Sequence, residues 1–367
     1  MGELSGVAAT ALGVARIRAA ESARPDRLFD DPYAAAFVAA AGGVEAAAAA
    51  SVSRRPAASD GTGSTGSTGN DAAVPAAARR DAFHRTLARH IVLRTRFFDD
   101  YLREATTGRP SEATTEHSSV AAGGHALRQV VILAAGLDTR AYRLPWPDGV
   151  RLYEVDLPEV LAFKERVLDE EHARPRCTRT SLAADLRTDW TAPLRSAGFV
   201  PDEPTAWLVE GLLVYLSAGD AAQLLSTIGA QSAPGSRLAF PGVGDFRNSP
   251  LMAGGRALPS MREVSALWQG GLDEPADAWL TLHGWRPRTY AREALAASYG
   301  RAQGGTSGHG TTPHGGHGDG GHGGDRGAFV VAVRREEDAS GRSGRSAGSA
   351  TGWSASPESP ERDGEGR

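Results

Sequence analysis

The sequence feature that constrains the fold most is a short apolar run that ends in three small residues. Val130 to Leu133 has the β-branched, apolar pattern of a strand buried on both faces in a parallel sheet. Ala134, Ala135 and Gly136 follow at once. Because these residues have almost no side-chain bulk, and Gly136 can take a positive φ without steric cost, a ligand can approach the backbone closely. The pattern predicts a strand followed by a tight binding turn.

A second predicted strand, Arg151 to Val155, ends on Asp156, which lies twenty positions beyond Gly136. A βαβ nucleotide-binding unit sets an acid against a ribose hydroxyl at about this spacing. Between the two strands, Asp138 offers oxygens near the next helical segment. The unit therefore suits an adenosine-containing ligand. Two alternatives stay open on spacing alone: the turn is only a strand-to-helix connection, and Asp156 is only a cap for the helix that follows it.

The turn lacks the glycines of a dinucleotide-binding fingerprint. G-x-G-x-x-G lets backbone N–H groups cradle a pyrophosphate, and only Gly136 is present here. The phosphate-binding pattern G-x-x-x-x-G-K-[ST] does not occur in the sequence either. A cofactor with a ribose but no phosphate fits better, and S-adenosylmethionine is the common cofactor of this kind. The same deficit disfavours the alternative of a nucleotide-dependent oxidoreductase.

Several longer segments resemble one protein family. VILAAGLDTRAYRLPWP, EVDLPEVLAFKERVL, ADLRTDW and WLVEGLLVYL, in that order, resemble the actinobacterial branch of the leucine carboxyl methyltransferase-like family of S-adenosylmethionine-dependent methyltransferases. ARIRAAESARPDRLFDDPYA and RTRFFDDYL resemble the same branch. The resemblance covers most of residues 1–335, apart from low-complexity inserts. It implies an N-terminal helical cap over the cofactor pocket. Predicted strands that alternate with predicted helices indicate a doubly wound α/β fold with a mostly parallel seven-stranded sheet.

The resemblance also implies roles for individual residues. Asp185 and Leu186 match the D-L pair that the family uses for adenine, with a carboxylate for the exocyclic amine and a backbone N–H for a ring nitrogen. Asp156, at the carboxyl end of a strand, would accept hydrogen bonds from the ribose hydroxyls. Taken alone, Asp185 reads as an ordinary loop or cap residue.

Glu210 is the most informative charge in the sequence. It interrupts WLVEGLLVYL, and burying a carboxylate there costs on the order of several kcal/mol unless a sulfonium-bearing ligand or an arginine compensates it. The alternative is a strand-end carboxylate that reaches water. Arg94 and Arg96 are candidates for pairing with Glu210 or for holding the cofactor's carboxylate, since arginine binds carboxylates bidentately. The predicted cofactor-binding residues are Arg94, Gly136, Asp138, Asp156, Asp185, Leu186 and Glu210.

Methyl transfer from a sulfonium needs no protein nucleophile, because the leaving group is already good and positioning does most of the work. A carboxylate acceptor needs no base, whereas a phenol or alcohol needs one, for which Glu210 and Tyr215 are weak candidates. We predict no specific catalytic residue and no metal ligand. The expected reaction is O-methylation of a small molecule or a carboxylate, and the expected partner is that small-molecule methyl acceptor.

Bulk properties limit the other partners. A net charge of −4 and a pI near 6.2 give no basic field of the kind that favours nucleic-acid binding. The single cysteine, Cys177, cannot form an internal disulfide, and no apolar run is long enough to span a bilayer. We therefore expect a cytoplasmic protein that binds neither nucleic acid nor membrane.

Composition divides the chain into segments. Residues 1–44 are predicted to form the helical cap, and residues 45–80, which are Ala-rich and then polar, a flexible insert without enough large apolar residues to order it. Residues 81–335 are predicted to form the methyltransferase domain, interrupted by a disordered Gly-rich loop at 303–326. Residues 336–367 are predicted to form a disordered tail.

The Gly-rich loop leaves one non-enzymatic alternative, a metal-binding or interaction protein. Its imidazoles could bind Ni²⁺ or Zn²⁺, but their irregular spacing and the flanking glycines impose no coordination geometry. A chain that otherwise reads as a complete α/β core disfavours this alternative. The histidines of the loop are His309, His314, His317 and His322.

Overall fold

A computed structural model describes five segments of the chain, residues 7–42, 76–110, 125–242, 265–302 and 329–336. Residues 45–75 of the predicted insert, the Gly-rich loop at 303–326 and residues 337–367 of the predicted tail lie outside the described residues. Within the described ranges, no helix is long and apolar enough to cross a membrane.

Seven strands form one sheet in the order β3-β2-β1-β4-β5-β7-β6. Strands β1 to β5 pair in parallel, and β7 runs antiparallel to both β5 and β6. The two strands predicted around the binding turn, at 130–133 and 151–155, are present, and the predicted doubly wound, mostly parallel α/β fold is confirmed. The strands are β1 (Gln129–Leu133), β2 (Arg151–Asp156), β3 (Thr178–Ala183), β4 (Thr205–Val209), β5 (Arg237–Pro241), β6 (Trp285–Tyr290) and β7 (Phe329–Arg334).

Helices connect and cover the strands. The helices are α1 (Val7–Ser22), α2 (34–42), α3 (Ala76–Thr107), α4 (Arg140–Arg143), α5 (Pro158–Glu170), α6 (Thr191–Ser196), α7 (Ala218–Ala230), α8 (Ala276–Leu282) and α9 (Arg292–Ser298). A short 3₁₀ turn, Leu213–Tyr215, follows β4. Ser217 caps α7, since its hydroxyl accepts a hydrogen bond from the Asp220 amide.

The central strands β1 and β4 are buried along their whole length, which explains their continuous apolar runs. Val130 and Ile132 face a core layer that includes residues of α1, α2, α3, α5 and α9. Val131 and Leu133 face a second layer that includes residues of α6, α7 and α8. Alternation along β1 therefore packs helices against both faces of the sheet.

One predicted boundary is wrong. Helix α3 begins at Ala76, so residues 76–80, assigned from the sequence to the flexible insert, are helical. Alanine adds little to a hydrophobic core, but it has the highest intrinsic helix propensity. The alanine run therefore extends the amphipathic helix towards its N-terminus. The helix is anchored by buried apolar side chains that include Phe83, Ile91, Phe98, Tyr101 and Leu102.

Candidate cofactor and active site

A cavity opens at the carboxyl ends of β1, β2 and β4, where the sheet order reverses direction between β1 and β4. Ligands of open α/β sheets bind in the crevice at this switch point. The cavity brings together five of the seven predicted cofactor-binding residues, Arg94, Gly136, Asp138, Asp156 and Glu210.

The turn after β1 forms the floor of the cavity. Ala134 has φ 52° and Gly136 has φ 50°, both in the left-handed region. This conformation costs an alanine about 1–2 kcal/mol and a glycine almost nothing. The Asp138 amide closes the turn by donating to the Ala135 carbonyl at 2.8 Å. A Cβ at Gly136 would lie 3.7 Å from the Cβ of Ala11, so α1 approaches the turn closely.

Asp156 connects the ends of two strands. Its Oδ2 accepts from the Gly136 amide at 2.5 Å, and its Oδ1 accepts from the Leu157 amide at 2.7 Å, immediately before α5. Burial raises the pKa of Asp156, although these two amides favour its ionised form. A carboxylate has about four lone-pair sites, so both oxygens retain acceptor capacity on the cavity side. The helix-start role and a ligand-binding role are therefore compatible.

Glu210 is compensated by two arginines. Its Oε1 accepts from Arg94 Nε at 2.7 Å and its Oε2 from Arg140 Nη1 at 2.7 Å. Burial would raise the pKa of Glu210, but the charges of Arg140 and Arg94 hold it below its usual value. The predicted Arg94 partner is confirmed, whereas Arg96 donates instead to Asp100 on its own helix.

Arg140, which sequence reasoning missed, lies at the centre of the charge cluster. It is 2% exposed, and besides Glu210 it contacts Asp138 at 2.5 Å and Asp99 at 2.7 Å. Burial opposes ionisation of Asp138, but the charge of Arg140, with smaller contributions from Lys164 and Arg143, lowers its pKa to about 2. The sequence does carry a signal for this residue. Arg140 closely follows the turn after β1, and an arginine buried there requires a carboxylate partner.

Helix α1 forms one wall of the cavity. Arg18 lies in its lining and donates through Nη2 to the Leu137 carbonyl at 2.6 Å, which attaches the helix to the turn after β1. The same helix also contacts the 3₁₀ turn after β4, where the Tyr215 hydroxyl lies 3.4 Å from the Thr10 hydroxyl. The cavity is therefore enclosed between the N-terminal helix and the segments that follow β1 and β4.

The other two predicted residues lie outside this lining. Asp185 and Leu186 follow β3, the strand next to β2, at the same edge of the sheet. The Asp185 side chain is 32% exposed and pairs with Arg187, whose guanidinium holds the pKa of that carboxyl below its usual value. Leu186 is partly buried against the second core layer. Their role in adenine binding stays a prediction.

The charged groups of the lining favour a cationic ligand. Three carboxylates, from Asp138, Asp156 and Glu210, face two guanidiniums, from Arg18 and Arg94. Across the described segments, the His, Cys, Asp and Glu side chains form no group of three that could hold a metal ion. The lining therefore offers carboxylate acceptors for hydroxyl or ammonium groups and guanidiniums for a carboxylate.

The chain is similar in sequence to a known protein family and to named relatives. The family described as leucine carboxyl methyltransferase matches residues 11–229. A Frankia alni protein named "Putative S-adenosyl-L-methionine-dependent methyltransferase" is 46% identical over 81% of this chain and 90% of its own length. A Streptomyces coelicolor protein of the same description is 40% identical over 81% of this chain and 89% of its own length.

Solved structures are similar at a lower level. A DUF574 family protein from Streptomyces avermitilis aligns over 73% of this chain and 94% of its own, with 17% identity and a TM-score of 0.44. The family resemblance seen in the sequence is confirmed by the family match and by the curated relatives, which cover most of both chains. This chain belongs to the leucine carboxyl methyltransferase family.

Proposed function

We propose that the protein is an S-adenosylmethionine-dependent O-methyltransferase whose acceptor is a small molecule or a carboxylate. Its cofactor is S-adenosylmethionine, which the names of its curated relatives specify. The observation that supports the proposal best is the cavity at the switch point of the sheet, where a glycine turn and three carboxylates meet.

The ribose and methionine parts of the cofactor have candidate partners in the lining, whereas the residues proposed for adenine, Asp185 and Leu186, lie outside it. Asp156 would accept hydrogen bonds from the ribose hydroxyls, and Gly136 would let the methionine portion pass close to the backbone. Arg94 contacts Glu210 through Nε, which leaves its Nη groups available for the cofactor's carboxylate. Asp138 and Glu210 provide negative charge for the amino group and the sulfonium. When bound, the cofactor supplies a methyl group on a sulfonium leaving group.

The charge balance of the lining favours the cofactor over its product. The three carboxylates reach the cavity, whereas Arg140, which pairs with two of them, lies behind its wall, and partial burial strengthens the interaction of the carboxylates with a cation. Methyl transfer removes the positive charge of the sulfonium and leaves a neutral thioether. The protein's contribution is therefore to bind and orient the charged reactant and to release the neutral product more easily.

The acceptor oxygen determines whether a base is needed. A carboxylate is already ionised near neutral pH, so alignment of the oxygen with the methyl carbon is sufficient. An alcohol or phenol has to lose its proton, and Tyr215 and Glu210 are the lining groups that could take part. We therefore expect a carboxylate acceptor to be methylated without any titratable protein group.

Metabolite profiling with methyl-labelled cofactor tests the proposal. The full chain is incubated with labelled S-adenosylmethionine and a small-molecule extract, and labelled products are treated with mild alkali, which cleaves methyl esters but not ethers. We expect label on an oxygen of a small molecule, with less of it for Asp156→Ala. Label only on nitrogen, on protein or on nucleic acid would contradict the proposed acceptor class.

A further inference from the structure

Arg140 lies behind the cavity wall and touches carboxylates from three different elements. Its Nε donates to Asp99 of α3 at 2.7 Å. Its Nη1 donates both to Asp138, in the turn after β1, and to Glu210, after β4, at 2.5 and 2.7 Å. One buried guanidinium nitrogen therefore joins the two acidic walls of the cavity.

The arginine is fixed from the side away from the cavity. Asp99 is fully buried, and its two oxygens accept from Arg143 at 2.6 and 2.7 Å in a bidentate pair. Asp99, held in this way, in turn fixes the Nε of Arg140. Helix α3 also supplies Arg94, which holds the other oxygen of Glu210.

Asp138 and Glu210 repel each other where water is largely excluded. Two neighbouring carboxylates in such a site do not both stay ionised unless a cation compensates them, because proton uptake by one relieves the repulsion. The negative charge of Asp138 acts to raise the pKa of Glu210, and Arg140 is the first cation that opposes it. Removing Arg140 would leave Arg94 as the direct partner of Glu210 and leave Asp138 without an ion-pair partner among the described residues.

We propose that Arg140 is a positioning residue that keeps the Asp138 and Glu210 carboxylates both ionised and directed into the cofactor cavity. This inference rests on the proposed function, because it takes the cavity to hold S-adenosylmethionine. The other charged and titratable groups around the two carboxylates are Arg18, Arg94, Asp99, Arg143, Asp156, Lys164 and Tyr215.

Loss of Arg140 should make the affinity for the cofactor depend on pH. In the wild-type chain both carboxylates stay ionised across pH 6 to 8, so affinity changes little. Without Arg140, burial and mutual repulsion favour one shared proton, which removes negative charge that a cationic ligand needs. The variant should therefore bind more weakly, and its affinity should increase as pH rises and the pair ionises.

Isothermal titration calorimetry with S-adenosylmethionine at pH 6, 7 and 8 tests this on the full chain. For Arg140→Met we expect the affinity to fall by on the order of tenfold from pH 8 to pH 6. Below the pKa of a carboxyl that has to be ionised for binding, the affinity falls about tenfold for each pH unit. Arg140→Lys, which keeps the charge with fewer donors, should show a smaller change and serves if the methionine variant does not fold.

Arg179→Met is the matched control. The side chain of Arg179 is also largely covered, at 7% exposed, and pairs with the carboxylates of Glu154 and Glu165 at 2.7 Å each, but it does not line the cavity. Loss of the Arg179 side chain should lower thermal stability, while the affinity for S-adenosylmethionine stays as insensitive to pH as in the wild-type chain. A pH-insensitive affinity in folded Arg140→Met, or the same pH dependence in the control, would overturn the positioning role.

A measurement without cofactor separates this inference from the proposed function. The carboxyl carbons of Asp138 and Glu210 are titrated by ¹³C NMR in the wild-type chain and in Arg140→Met or Arg140→Lys, with Glu210→Gln used for assignment. We expect one carboxyl to titrate at a higher pH when Arg140 is replaced. Absence of cofactor binding in the wild-type chain would refute the proposed function, whereas unchanged carboxyl titration would refute the role of Arg140.

Discussion

The Asp156 carboxylate and the Gly136 amide, twenty positions apart in sequence, are joined by a hydrogen bond of 2.5 Å at the cavity floor. This contact holds the end of β2 against the turn after β1. The same carboxylate precedes α5 and accepts from the Leu157 amide. One side chain thus shapes the turn and presents acceptor oxygens to the cavity.

Replacement of Asp156 by alanine should weaken S-adenosylmethionine binding while the chain stays folded. Losing hydrogen bonds to a charged acceptor costs about 1.5–3 kcal/mol, which corresponds to roughly a ten- to hundredfold loss of affinity. Asp156→Asn, which keeps an acceptor oxygen near Gly136 but loses the charge, should show a smaller effect. Calorimetric affinity that is unchanged in folded Asp156→Ala would remove this residue from the site.

Asp185→Ala should alter the recognition of adenine. We expect the variant to lose discrimination between S-adenosylmethionine and an analogue without the exocyclic amine, because the accepting carboxylate is gone. Arg187→Ala is the control, since it frees the Asp185 carboxylate from its exposed ion pair and should leave discrimination intact. Full discrimination by Asp185→Ala, measured by competition binding, would show that the D-L assignment is wrong.

His90 should make the wild-type chain less stable in mild acid. Burial, with the charges of Arg94 and Arg292, lowers the pKa of His90 well below its usual value, and the ring stacks on Phe329 with centroids 5.8 Å apart. The unfolded chain takes up a proton below about pH 6.5 and the folded chain does not. The free energy of unfolding therefore decreases as the pH is lowered below about 6.5, by up to about 1.4 kcal/mol per pH unit from this group.

His90→Phe should remove this pH dependence and stack on Phe329 in its place. We expect its unfolding free energy to exceed that of the wild type at pH 5.5 by more than it does at pH 8. His84→Gln, at an exposed position on the same helix, is the control and should change neither value. Equal stability differences at the two pH values in urea titrations would show that His90 does not stay neutral in the folded chain.

The Gly-rich loop should be dispensable for cofactor binding. Deletion of residues 305–324 should leave the melting temperature and S-adenosylmethionine affinity unchanged, because each halving of a flexible loop changes its closure cost by only about 0.6 kcal/mol. The loss of the four loop histidines should remove only weak binding to immobilised nickel. A folded deletion variant that no longer binds cofactor would make the loop part of the site.

Much of the fold follows from local sequence patterns. Strands β1 and β4 are buried throughout, so their apolar runs are unbroken, and each is followed directly by a residue of the cavity lining, Ala134 after β1 and Glu210 after β4. Gly136, Asp156 and Glu210 could be identified because parallel strands place their carboxyl ends at one edge of the sheet. A residue that directly follows a predicted strand can be located from the sequence alone, because its place depends only on neighbouring residues.

The charge cluster around Arg140 is not local. Its partners Asp99 and Glu210 lie 41 and 70 positions away along the chain, so no spacing rule connects them. Helix α3 brings Asp99 to the turn only after it packs on the sheet. The sequence indicates that a buried carboxylate such as Glu210 needs compensation, but the choice among the many arginines of this chain depends on tertiary packing.

Calorimetric titration of the full chain with S-adenosylmethionine, and separately with NADH and Zn²⁺, tests the central claim most directly. We predict saturable binding of S-adenosylmethionine at one site per chain, weakened by Asp156→Ala, and no comparable binding of NADH. Zn²⁺ should bind weakly and without effect on cofactor affinity. No heat of binding for S-adenosylmethionine, or tighter binding of NADH, would contradict the assignment of this cavity to a methyltransferase cofactor.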